Sequence, residues 1–118
     1  MRSCNKTMAG KPLDAFERAQ DAEGRGVELC RLNRMNTALE AFNEAVELLE
    51  VALRESNDDK IEYRLASALN NRGSTQHCLG NHEQTKVDYL RALETLARLW
   101  SKHRDSLDIG RDLAATLS

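Results

Sequence analysis

An all-α fold of about five helices is predicted by three features of this sequence. Aromatic residues make up 4% of it, Pro12 is the only proline and there are six glycines, a composition that disfavours β-sandwiches and barrels. Apolar and small residues recur every three or four positions, as at Phe16, Ala19, Ala22, Gly26 and Leu29. Gly26/Gly73, Asn33/Gly80, Phe42/Tyr89, Ala45/Ala92, Val46/Leu93 and Leu49/Leu96 are each 47 positions apart. A constant offset across small, turn and aromatic positions means that one helical unit is used twice.

At 118 residues the chain is one domain by length. Its 17 basic and 19 acidic residues leave a net charge of −2, which offers no electrostatic footprint for nucleic acid or an anionic membrane. Cys4, Cys30 and Cys78 cannot all pair within one chain and form no close cluster, so a reduced, cytoplasmic protein is expected. The polar first residues have no signal-peptide core, and no apolar run approaches a membrane span.

Residues 1–10 show no periodicity and are read as a disordered tail. Pro12 suits a first helical turn, because its missing N–H would be unpaired there in any case. The spacing from Phe16 to Leu29 predicts a helix over Leu13–Leu32. Asn33 and Gly80 both tolerate left-handed backbone and mark tight turns. Asn36 or Thr37 with Glu40, and Asn81 with Gln84, have capping spacing, so the second helix of each unit is expected to begin there.

The first of these second helices carries two apolar rows, one through Ala38, Ala41, Ala45, Leu48 and Ala52, the other through Leu39, Phe42, Val46, Leu49 and Leu53. Two adjacent rows make a broad buried face, with Glu40, Glu44, Glu47 and Glu50 on the solvated arc. Ser56 to Asp59, with Glu62 three residues after Asp59, marks the next start. Helices are expected over about Lys60–Leu79 and Asn81–Lys102. A polar break over 101–106 precedes a last segment, Leu107–Ser118. There Leu113-Ala-Ala-Thr-Leu-Ser118 matches Leu65-Ala-Ser-Ala-Leu-Asn70 at an offset of 48. The organisation is therefore a tail over 1–10, helix pairs over 11–57 and 58–104, and over 105–118 a terminal helix or the start of a truncated third repeat.

Within each unit the order is a small residue, an apolar position, a turn, then Ala, aromatic and Ala on the second helix. Ala22, Gly26, Leu29, Ala38, Phe42 and Ala45 carry it first; Leu69, Gly73, Gly80, Tyr89 and Ala92 carry it again. Gln76 and Thr85 stand where an apolar or aromatic residue and an Ala are usual. This order resembles the tetratricopeptide repeat family (TPR), and the extended unit with its LAxxLN opening resembles the repeats of bacterial multi-repeat signalling proteins. The resemblance implies a right-handed stack of antiparallel helix pairs, a TPR-like α-solenoid. It also implies a protein-protein interaction scaffold that binds a peptide or partner segment on the concave face of the first helices. The partner-binding positions carried over are Gln20, Glu23, Val27 and Cys30 in the first unit, and Ser67, Asn70, Asn71, Ser74 and His77 in the second. Asn, Ser and His read a polar peptide through hydrogen bonds. Glu23 would repel a chain-terminal carboxylate, which argues against a clamp for such a terminus.

No nucleophile elbow, phosphate loop or HExxH motif is present, so an enzyme is not expected, nor a cofactor. His77, Cys78 and His82 straddle a turn and supply no closed set of four metal ligands. Cys30 and Cys78 are expected in small semi-buried sites. Arg25 and Arg72, related by the offset, are expected to lay their stems along the seam within each pair and to end on a Glu or Asp of the second helix. Leu107, Ile109, Leu113 and Leu117 have only the preceding helix to cover them, with Trp100 packing beneath. That suggests the alternative role: a self-associating unit, forming a weak homodimer through its C-terminal helix.

Overall fold

The computed structural model describes residues 12–103 and 107–117, so the expectation for residues 1–10 lies outside the described residues. Five helices follow in order: α1 (Pro12–Arg31), α2 (Met35–Glu55), α3 (Asp59–Cys78), α4 (His82–Lys102) and α5 (Leu107–Leu117). Packing is mainly sequential, between antiparallel neighbours, with smaller contacts of α1 with α3 and of α3 with α5. No helix among the described residues is long and apolar enough to cross a membrane.

The helix boundaries follow from backbone chemistry at the turns. Asn33 (φ 62°) and Gly80 (φ 83°) take the left-handed conformation expected of them. The turns close on Arg34 N–H to Leu29 O (2.8 Å) and Asn81 N–H to Gln76 O (2.9 Å), which satisfies carbonyls at the ends of α1 and α3. The expected capping boxes do not form. α2 starts at Met35, so Thr37 already lies inside its first turn, and neither Arg34 nor Asn81 makes a side-chain cap. The Asn81 amide turns back to Gln76 Oε1 instead (3.1 Å). At α3 the cap is Asp58, whose Oδ1 accepts from Lys60 N (2.8 Å). Asp59 is thereby freed to accept from Lys102 Nζ (3.1 Å) and to meet His103 Nε2 (3.0 Å).

The apolar rows of α2 become the centre of the core: Ala38, Ala41, Phe42, Ala45, Val46, Leu49 and Ala52 are all buried. Ala15, Ala19 and Ala22 of α1 cover them from one side, and Ile61, Leu65 and Leu69 of α3 from the other. Small residues let the helices close up. A Cβ on Gly26 would fall 2.5 Å from the Phe42 ring, and one on Gly73 would fall 2.7 Å from the Tyr89 ring. The two repeat units thus solve the same contact in the same way. Gly110 of α5 approaches Trp100 similarly, with a Cβ there 3.0 Å from the indole, so Trp100 packs beneath the last helix.

Both arginines end on the second helix of their own pair. Arg25 meets Glu44 at 3.1 Å on the surface. Arg72 grips the fully buried Asp88 with two hydrogen bonds, Nε to Oδ2 (2.9 Å) and Nη2 to Oδ1 (2.8 Å), and donates through Nη1 to Asn43 Oδ1 of α2 (3.1 Å). The hydrogen bonds to Asp88 outweigh burial and hold the Arg72 guanidinium above its ordinary pKa. A forked donor matched to a carboxylate is the strong form of ion pair, and here it ties together α2, α3 and α4. Thr85, at an Ala position of the repeat, is buried because its hydroxyl lies 3.0 Å from Asn81 O and 3.3 Å from Gly73 O.

Candidate functional site

The side shared by α1, α3 and α5 carries the sequence-derived binding positions. Their roles there divide sharply. Glu23 is 5% exposed. Its Oε1 accepts from Arg64 Nη2 (2.8 Å), and its Oε2 accepts from Ser67 Oγ (3.1 Å) and Asn71 Nδ2 (2.8 Å). A carboxylate that accepts from three donors, one of them a guanidinium, is paired internally, so Glu23 fastens α1 to α3 and presents no charge outward. Asn70, one repeat offset further on, does the same for the next junction: its Nδ2 donates to Thr116 Oγ1 of α5 (2.8 Å). Tyr63 adds a second bridge there, donating to Asp112 Oδ2.

Between these bridges lie two clefts. One, of about 260 Å³, is bounded by Val27 and Cys30 of α1, Met35 and Phe42 of α2, and Asn71, Ser74, Thr75 and Cys78 of α3. The other, of about 410 Å³, is bounded by Asn70, Asn71, Ser74 and His77 of α3, Tyr89 of α4, and Ala115 and Thr116 of α5. Asn71 and Ser74 belong to both. No Asp, Glu, Lys or Arg borders either cleft, although such residues make up 31% of the chain. Val27 is 46% exposed and offers the first cleft an apolar wall. Gln20 is exposed but borders neither cleft.

Met35, Thr75, Cys78, Tyr89, Ala115 and Thr116 also line this surface, and repeat position did not select them. Thr75 and Cys78 lie on α3 beside Asn71 and Ser74, so helical spacing was a usable signal for them. Met35, Tyr89 and the α5 residues arrive from other helices and had no such signal. Cys30 is half-buried as expected, with Sγ 3.5 Å from Thr75 Oγ1, whereas Cys78 is exposed because it sits at the end of α3 facing the cleft. The His77 and His82 rings meet edge to face, 5.9 Å apart, across the Gly80 turn. Among the described residues, no group of three or more His, Cys, Asp and Glu is placed to hold a metal ion.

No protein-family model, curated protein or solved structure matches the chain.

Proposed function

We propose that the protein is a protein-protein interaction module: a right-handed stack of tetratricopeptide-like helix pairs that binds a peptide or partner segment along its concave side, formed by α1, α3 and α5. The role is binding and not catalysis. The observation that carries this reading is the pair of clefts meeting at Asn71 and Ser74 on a side otherwise held together by internal polar bridges. The bridges occupy Glu23 and the side-chain amide N–H groups of Asn70 and Asn71, so the outward-facing polar groups are Ser74 and His77, flanked by Val27 and Tyr89. An uncharged lining favours an uncharged segment, whose backbone is read by Ser74 and His77 and whose apolar side chain enters beside Val27 and Met35.

Ser74 is exposed and borders both clefts, so Ser74→Trp fills the junction without touching the core. Peptides selected from a random display library on the parent protein should bind with little dependence on salt and should lose Ser74→Trp, while its helicity and melting temperature stay at parent values. Peptides that bind Ser74→Trp as well as the parent place recognition on another face and refute the reading.

A further inference from the structure

A surface left uncovered by the five helices lies on α4. Val87 is 48% and Leu90 57% exposed, two of the four large apolar residues that stand open to solvent among the described residues. At about 100° per residue, Lys86, Val87, Leu93, Glu94 and Ala97 all project within about 60° of Leu90. The buried residues of α4, Thr85, Asp88, Ala92, Leu96 and Leu99, occupy the opposite side. The result is a straight outward stripe with an apolar middle and charged shoulders. The C-terminal helix offers less: Ile109 and Leu113 are half-buried and packed against the core.

We propose that this stripe is a self-association surface, on which two copies pair α4 against α4 in antiparallel fashion about a two-fold axis at Leu90. The argument is charge complementarity under that symmetry. In an antiparallel pair centred on Leu90, a residue a given distance before it on one helix stands level with the residue the same distance after it on the other. Lys86 is four before Leu90 and Glu94 four after, so each Lys86 stands level with the partner's Glu94, and the pair occurs twice. Val87 and Leu93, three before and three after, are matched in the same way, while Leu90 meets itself on the axis. A parallel arrangement would set Lys86 on Lys86 and Glu94 on Glu94. Neither Lys86 nor Glu94 makes an ion pair among the described residues, although Arg91 and Arg98 of the same helix each have a carboxylate partner. A cleft of about 430 Å³ runs along the stripe between Leu90, Leu93 and Thr116 of α5, and gives the partner's apolar residues room to seat.

One helix face buries less than a standard interface, so the dimer is weak and concentration-dependent. The test uses sedimentation of the intact chain at rising concentration. The parent should dimerise and Leu90→Lys should not. Lys86→Glu alone and Glu94→Lys alone each turn two attractions into two repulsions, and each should raise the dissociation constant roughly tenfold. An equimolar mixture of those two variants should recover parent-like association, because in the mixed dimer both level pairs are again opposite in charge. All three positions are exposed, and recovery in the mixture itself demonstrates folded protein. A parent that stays monomeric, a Leu90→Lys variant that associates like the parent, or single reversals whose mixture gains nothing would each overturn the proposal. So would association that survives at α4 but is lost with Leu113→Lys, which would return the interface to α5. These outcomes are independent of the concave-side reading, since Ser74→Trp leaves the stripe intact.

Discussion

Alanine at two glycines two residues apart on α1 should move stability in opposite directions. A Cβ added to Gly24 meets nothing within 4 Å. Glycine is about 1 kcal/mol less favourable than alanine inside a helix, so Gly24→Ala should stabilise by roughly that amount. On Gly26 the same atom falls 2.5, 2.7 and 2.8 Å from three carbons of the Phe42 ring. Carbon atoms prefer about 3.5–4.0 Å, so the Phe42 ring, which is 1% exposed, must shift to admit it. Overpacking of this kind costs about 1–3 kcal/mol, which offsets the gain in helix propensity and leaves a net loss of up to about 2 kcal/mol. The two variants should therefore differ by about 1–3 kcal/mol, or roughly 5–15 °C in Tm for a domain of this length. Far-UV circular dichroism, followed through thermal and urea unfolding, measures both. A Phe42→Leu background should reduce the cost of Gly26→Ala, because the two positions are in contact and their effects do not add. A Gly26→Ala protein that melts with Gly24→Ala or above it would refute the close approach of α1 and α2, and with it the matched roles of Gly26 and Gly73.

Arg25 and Arg72 occupy the same repeat position, yet Arg25→Met should cost no more than about 1 kcal/mol because its pair with Glu44 is exposed. Arg72→Met leaves Asp88 buried without its partner and should cost about 3 kcal/mol, read from urea midpoints at equal m-value. Asp59 is held below the usual carboxylate range by its hydrogen bonds to His103 and then Lys102. Its folded-state pKa is depressed, so its contribution is present above about pH 4 and is lost as pH falls through the lower folded value. The Tm gap between the parent and Asp59→Asn should therefore close as pH falls below about 4, and a gap that widens there contradicts that linkage.

Repeat and helix positions were legible in the sequence because they depend on local chemistry. Asn33 and Gly80 announce left-handed turns wherever they sit, and the spacing of Phe16, Ala19 and Ala22 defines a face without reference to any partner. The caps were harder. A turn that closes on backbone bonds leaves Thr37 and Asn81 with nothing to cap, and no side-chain pattern reports that in advance. The candidate site divides along the same line. Val27, Ser74 and His77 are readable from helical position, whereas the fate of Glu23 depends on Arg64, Ser67 and Asn71, which approach only when α3 lies against α1.

The sequence by itself determined an all-α chain, the positions of its helices and turns, and the glycines at which neighbouring helices draw close, because composition, periodicity and a fixed offset are properties of the linear order. Only the tertiary structure decided which polar groups are consumed and which remain. Glu23 and Asn70 look alike as outward positions on a repeat, but each meets donors or acceptors from a helix more than forty residues away and becomes part of the frame. Val87 and Leu90 read as ordinary apolar residues of α4, yet they stand in solvent because the neighbouring helices cover the other sides of that helix. Burial is set by what a face is packed against, and that partner is chosen in three dimensions.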